Sequence, residues 1–431
     1  METNEKLLEF INSSVTPFHC VDTVAGILDE NGFTQLSESG DFVLEKGGKY
    51  YVARNGSSLI AFTVPCEQPS GFMIGAAHTD SPSFRIKDVP TTFSTGYVKV
   101  NTEGYGGMLC ATWLDRPLSA AGRVTFRKDR KLFTINIDLK KPLFIIPSVA
   151  IHMDRNANSG ANYNMAQDMQ AVFSLNEKSD LKKLVADAAG CAPDDVVGTD
   201  LMLYQNGGVV WGAENEFVSS PRLDDLQSLF ALTEGFVGAN NGRAVPVLYV
   251  ADNEEVGSST KQGAGSAMLG DVLFRICESL GMNRSGYLRM LAGSFLVSAD
   301  NAHAVHPNHP EYADRSNHPK LNEGIVIKFN SNQRYCTDSV SAGVFREICS
   351  RAGVPTQVFV NRSDIPGGST LGNIAVTKTP VSAVDVGLPQ LAMHSSFETA
   401  GAKDTEYLIK AMQIFFSSSI TSESDGTVSI N

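Results

Sequence analysis

"VPVLYVADNEEVGSST", residues 245–260, is an apolar run that stops abruptly at Asp252, Asn253, Glu254 and Glu255. Seven apolar residues without polar alternation predict a strand buried on both faces, the pattern of a strand inside an α/β sheet. The segment "GFMIGAA" (71–77) has the same character, and further strands are predicted at 293–299, 324–329, 356–360 and 381–386. Helical patterns lie between several of them. The clearest is "SSPRLDDLQSLFALTEGF" (219–236), where Leu223, Leu226, Leu229 and Phe230 form a stripe at helical spacing. Strands interleaved with helices predict an α/β fold, a doubly wound mixed sheet with helices on both faces.

Working outward, the N-terminal Leu7, Leu8, Phe10 and Ile11 fall on a helical spacing, and a hairpin series follows. Its strands, "DFVLE", "GKYYVAR" and "SSLIAFTV", are separated by the turn signals Gly47-Gly48 and Asn55-Gly56. Residues 91–216 change character. Segments such as "YVKVNT", "GRVTFRK" and "LFTINID" alternate as strands do, with one charged helical piece near 180–190. A chain of 431 residues exceeds one small core. The expected division is one α/β domain from 1–90 and 217–431, interrupted by a β-rich insertion over 91–216.

The balance of 35 Lys and Arg against 47 Asp and Glu, a net charge of −12, argues against nucleic acid or an anionic membrane as main partner. The densest basic runs, "FRKDRK" and "DLKKPL", are short and mixed with acids. The cysteines, Cys20, Cys66, Cys110, Cys191, Cys277, Cys336 and Cys349, are odd in number and never spaced C-x-x-C. That usage predicts reduced thiols in a cytoplasmic protein. The opening "METNEKLLEFINSS" has neither signal nor transit character, and no apolar stretch approaches the ~20 residues of a membrane span.

In open α/β sheets, ligands bind beyond the carboxyl ends of the strands. "GFMIGAA" releases His78 and Asp80, "VPVLYVA" releases the acids from Asp252 to Glu255, "SFLVSA" releases Asp300, and "VSAVDV" leads through a short loop to His394. Asp224 adds a carboxylate at the start of a helix. Each has an ordinary structural alternative: His78 as a core histidine, Asp224 as a helix N-cap, His303 and His309 as loop residues. Together, two histidines and several carboxylates from separate strands suit zinc or a similar divalent ion. Asp80, two residues after His78, is placed to accept the free ring N–H and fix the metal-binding tautomer.

These segments resemble the aspartyl aminopeptidase family of dinuclear zinc metallo-aminopeptidases. The matching stretches are "AAHTDSPSFRIK", "IHMDR", "PRLDDL", "DNEEVGSS", "SADNAHAVHPN", "VIKFNSNQRY" and "LPQLAMHS", in the family's order over nearly the whole chain. The resemblance implies a metallopeptidase domain with an inserted β-rich dimerisation domain, and a homo-oligomer, a dodecamer built from dimers. It implies two divalent metal ions per subunit, Zn2+ with Co2+ or Mn2+ as alternatives. His78, Asp224 and Asp300 would hold one ion, and Asp224, Glu255 and His394 the other, with Asp224 bridging. Glu254 would be the general base. His152, on the insertion, matches a histidine that reaches an active site, and Lys328 matches a lysine that meets an acidic substrate side chain. Two departures from the family pattern, Asp225 where Asn is more usual and the loop "IPGGST", touch no implied ligand.

The chemistry fits. Bulk water, with a pKa of about 15.7, is not usefully deprotonated by a carboxylate of about 4.3, whereas water on a divalent ion falls to about 7. The base must therefore sit beside the metals, which adjacency to Glu255 secures. The expected substrates are short peptides with a free N-terminus beginning in Asp or Glu, a side chain for which Lys328 supplies a local cation. Lys328 interrupts an apolar strand, and the alternative is an edge position with its ammonium in water. Arg334 and Arg362 are weaker candidates. The competing functions are a neutral aminopeptidase, a carboxypeptidase or a deacylase with the same metals, and a non-catalytic metal-binding assembly protein. No H-E-x-x-H, P-loop or G-x-S-x-G motif is present.

Overall fold

The computed structural model describes residues 1–240, 242–423 and 425–431. The chain forms two compact units, one made of 1–80, 208–393 and 398–431, the other of 81–207 with 394–397. The units change over at 80/81 and 207/208, where the sequence reading placed 90/91 and 216/217. Pairing is the reason. The strand Ser83–Ser94 hydrogen-bonds to Tyr97–Tyr105 and to Val196–Tyr204, while Val209–Trp211 pairs with Phe217–Ser220.

The first unit is built on nine strands: β1 (Thr34–Leu36), β2 (Lys49–Arg54), β3 (Ser58–Thr63), β4 (Phe72–His78), β5 (Val245–Ala251), β6 (Phe295–Ala299), β7 (Ile325–Phe329), β8 (Thr356–Val360) and β9 (Ser382–Gly387). They lie in the order β1-β2-β3-β5-β4-β6-β9-β7-β8. The central strands β5, β4, β6 and β9 are parallel, whereas β3 and β7 run against their inner neighbours. This is the mixed sheet expected from the sequence. β5 and β8 begin and end where the apolar runs predict.

Burial on both faces explains why the central strands lack polar alternation. In β4, Met73 and Ala77 join one core with Leu226, Leu229, Phe230, Phe415 and Phe416. Phe72, Ile74 and Ala76 join a second core with Val272, Leu273, Ile276 and Met290. Helices Glu2–Ser13, Leu223–Val237, Ser339–Ala352 and Asp404–Ser417 supply the first face, and Met268–Ser279, Arg284–Ala292 and Leu371–Lys378 the second. Each such buried side chain contributes roughly 1.5–3 kcal/mol against exposure. A small sheet follows the order 209–211, 217–220, 398–401, 389–391, 302–303.

The second unit is an antiparallel sheet of six strands, with Phe84, Val100, Trp113, Leu118 and Leu203 in its core. The charged helical piece expected near 180–190 is the helix Leu181–Ala189, capped by Asp180 and ended by Gly190 at φ 69°. Among the described residues no helix is long and apolar enough to cross a membrane.

Register positions the functional edge. Ala251 of β5 pairs with His78, and Phe295 through Ser298 of β6 pair with Met73 through Ala76. The three strands therefore stop at one level. Gly387 ends β9 where it passes the Asp300 carbonyl, so closely that a Cβ would penetrate that oxygen's van der Waals shell. Gly387→Ala should destabilise the protein by about 1–3 kcal/mol, because backbone on both sides must shift. Urea unfolding checks this, with a lower midpoint and an unchanged slope as the expected result.

Candidate active site

His78 is the last residue of β4 and is buried. Its backbone N–H donates to Asp225 Oδ2 at 3.2 Å, and its ring Nδ1 lies 3.0 Å from the Asp80 carbonyl oxygen. The Asp80 carboxylate is farther, at 3.4 Å. The nearer partner of the ring is therefore the Asp80 main chain, with the carboxylate beside the same nitrogen. Both carboxylate oxygens also hold main-chain amides. Oδ1 accepts the Glu254 N–H and Oδ2 the Glu255 N–H, each at 3.1 Å. Asp80 thus fixes the turn that carries the two glutamates. With Nδ1 directed at a carbonyl, Nε2 is the nitrogen turned toward the carboxylates, 3.6 Å from Asp224 Oδ1.

Asp224 is not an N-cap. The cap position of the helix Leu223–Val237 is Arg222, no side chain caps its amides, and Asp224 stands inside the first turn with φ −82° and ψ 109°, as Asp225 also departs from helical values. The Asp224 N–H donates to Glu398 Oε2 at 2.9 Å. Asp300 follows β6 directly, and its Oδ1 accepts from Lys328 Nζ at 3.1 Å. Lys328 also donates to the Asn301 carbonyl at 3.0 Å and lies 5.4 Å from the Tyr335 ring centre. It is only 3 % exposed. The edge position in water is thereby corrected, since β7 is paired on both sides, to β9 and β8.

The donor atoms of His78, Asp224 and Asp300 all lie within 4.8 Å of one another, and so do those of His78, Glu254 and Glu255. Four chain segments converge here, three from strand ends and one, with Asp224, from the start of a helix. Burial and neighbouring carboxylates dominate the electrostatics. Burial pushes the Asp225 pKa well above the usual carboxylate range, with Asp300 and Asp224 adding to it. Burial also raises Asp300, although Lys328 opposes it. Glu254 is pushed up to about 8 by burial, and by Asp300, Asp80 and Asp224, against the opposing effect of His78. Burial acts to lower the His78 pKa, but Asp224, Asp80 and Asp225 carry it well above the ordinary value. A site that so favours added positive charge, lined by an imidazole nitrogen and carboxylate oxygens, fits a divalent cation.

His394 lies between the strands Pro389–Leu391 and Glu398–Gly401, and residues 394–397 group with the second unit. There its Nδ1 is 2.6 Å from the Gly107 carbonyl oxygen. His152 is exposed on a turn of the second unit. Glu398, Gln390 and Asn301, buried beside the ligand-bearing segments, were not singled out from the sequence. Glu398 sits in "SFETAG" and Gln390 in "LPQLA", where nothing but a polar residue among apolar ones marks them.

The description "Aminopeptidase I zinc metalloprotease (M18)" belongs to a family model that matches residues 10–416. A probable M18 family aminopeptidase 2 of Clostridium novyi is 47 % identical over 422 residues, covering 95 % of this chain and 98 % of that protein. A relative of the same description in Clostridium acetobutylicum is 46 % identical over 427 residues, covering 96 % and 99 %. Among solved structures, a chain of the cryo-EM structure of the Ape4 and Nbr1 complex superposes with a TM-score of 0.93 at 38 % identity, covering 96 % of this chain and 85 % of that one. The S. cerevisiae mApe1 dodecamer gives 0.84 at 27 % identity, covering 96 % of each chain. The chain belongs to the M18 family of zinc metalloproteases and is a metal-dependent aminopeptidase.

Proposed function

We propose that this enzyme removes N-terminal Asp or Glu from short peptides at a centre of two divalent ions, zinc in the first place. The observation that carries this reading is the convergence of His78, Asp224 and Asp300, their donors within 4.8 Å, beside Glu254. His78, Asp224 and Asp300 hold one ion. Asp224, Glu255 and His394 hold the other, the last on the resemblance and on its place four residues before Glu398, which anchors the Asp224 amide. When bound, the ions lower the pKa of water, polarise the scissile carbonyl and receive the substrate's free amine.

Glu254 takes the proton from the attacking water and returns it to the leaving amine. Asp80 keeps Glu254 and Glu255 in their orientations by holding both amides, so one glutamate faces the ions and the other the water. His152 reaches an active site in the assembly and donates a hydrogen bond to the developing oxyanion, a kind of contact worth about 2.7–4 kcal/mol in other hydrolases. The insertion makes the oligomer contacts, in an assembly like the mApe1 dodecamer, and the enzyme works in the cytoplasm.

Lys328 is the group proposed to meet the acidic side chain. An ammonium has three N–H donors, and Asp300 and Asn301 take two. The same engagement favours a second reading, in which Lys328 serves only to balance Asp300 and the enzyme prefers neutral residues.

Glu254→Gln should keep the metal content of the parent and lower kcat by 10²–10⁴-fold, the usual worth of a positioned general base. Metal analysis alongside steady-state kinetics reads both, and near-normal turnover would remove Glu254 from the reaction. Unblocked and N-acetylated Asp-, Glu- and Leu-arylamides, assayed before and after chelation with metal add-back, test the substrate. The expected result is cleavage of unblocked Asp and Glu substrates, lost on chelation and restored by Zn2+. A preference for Leu would sustain the second reading of Lys328, and cleavage of blocked substrates would indicate a deacylase.

A further inference from the structure

Behind the proposed ligands lies a closed ring of buried polar side chains that the proposed reaction does not use. The peptide plane joining Leu223 to Asp224 is held on both sides. Its carbonyl oxygen accepts from Asn301 Nδ2 at 3.1 Å, and its N–H donates to Glu398 Oε2 at 2.9 Å. Gln390 joins the two holders. Its Oε1 is 2.8 Å from Asn301 Nδ2, and its Nε2 is 3.4 Å from Glu398 Oε1. One helical turn on, Ser228 Oγ donates to Asn301 Oδ1 at 2.9 Å, and Gln227 Oε1 lies 3.0 Å from Asn301 Nδ2. Asn301, Gln390 and Glu398 are each no more than 2 % exposed.

We propose that Asn301, Gln390 and Glu398 are positioning residues, a clamp that sets Asp224 against Asp300 and thereby the affinity of the site for divalent ions. The proposal rests on the reading of Asp224 and Asp300 as ligands. Two features single the ring out from general packing. Burying a carboxylate and two amides costs several kcal/mol that apolar residues would avoid, so the polar ring stabilises the fold poorly for its size. Its contacts also converge on one peptide, the one from which the Asp224 side chain departs outside helical geometry. Asn301 directly follows Asp300, so the same residue that grips the Leu223 carbonyl is covalently tied to the facing ligand. Lys328 donates to both Asp300 and the Asn301 main chain, which fixes that side as well. Ion sites tolerate displacement of only ~0.5 Å in their ligands, so a clamp on the peptide preceding a shared carboxylate acts on affinity directly.

The test is zinc affinity, measured by chelator competition, and zinc retained after dialysis, on the full chain. Thermal unfolding of the metal-free proteins serves as the control for folding. Asn301→Leu, close in volume but without donors, and Glu398→Leu should each weaken Zn2+ about 10–100-fold, the range seen when groups supporting metal ligands are removed. Their metal-free forms should still unfold cooperatively, at temperatures lowered by the buried partners left unpaired, and the loss of zinc affinity is read on the folded protein. Glu398→Gln keeps an acceptor for the Asp224 N–H and should stay within about threefold of the parent. The double variant should lose less than the product of the single losses, because either change opens the same ring.

Zinc affinity in Asn301→Leu within about threefold of the parent, while Asp224→Asn loses zinc in the same assay, would overturn the clamp and leave the ligand assignment standing. A parent that itself retains no divalent ion would overturn both. If Glu398→Leu does not fold without metal, Asn301→Leu against Glu398→Gln carries the comparison: a weak Asn301→Leu beside a near-normal Glu398→Gln supports the clamp, and equal affinities refute it.

Discussion

The site depends on the parallel register of three strands. Pairing Ala251 with His78, and Ser298 of β6 with Ala76 of β4 two residues earlier along the strand, makes β4, β5 and β6 stop together. Each strand then turns into a polar residue at the same level: His78, the acids after Ala251, and Asp300. A slip of one residue in either pairing would turn the side chains to opposite faces and scatter the donors. Both hydrophobic cores bear on that register, since β4, β5 and β6 each contribute to both faces.

Placing carboxylates at such an edge carries an electrostatic cost, and the surroundings meet it in stages. Asp80 is held by two main-chain amides, Asp300 by the Lys328 ammonium, and Asp225 by the His78 amide. What remains raises the pKa values of Glu254, Asp225 and Asp300, a charge imbalance that a divalent cation answers better than protons do. Lys328 was expected from its isolation in an apolar strand to mark either substrate or solvent, and it is buried, donating to Asp300 and to the Asn301 main chain.

Much of this was legible beforehand. The apolar runs at 245–251 and 356–360 coincide with strands because a fully buried strand leaves no room for polar alternation. The residues released at strand ends named His78, Glu254, Glu255 and Asp300, since the carboxyl edge of such a sheet is where the chain turns toward ligands. Asp224 was legible as a carboxylate but, taken alone, more readily as an N-cap, and only the hydrogen bonding at the helix start, where no side chain caps the amides, separates the two. The insertion was legible by its change of periodicity, though its edges lay about ten residues off, at 80/81 and 207/208. Strand pairing sets those edges, and pairing partners are remote in sequence.

The sequence by itself determined the family, the order of strands and helices, and which residue types gather at the sheet edge, because these follow from local periodicity and from motifs with fixed spacing. Only the tertiary structure decided what each carboxylate does. Asp80 grips the amides of residues 174 and 175 positions away, Lys328 grips a neighbour 28 away, and Glu398 anchors an amide 174 away. Hydrogen bonds act over about 3 Å and carry no trace in sequence separation. A polar residue's role is therefore set by whatever the packed cores bring beside it.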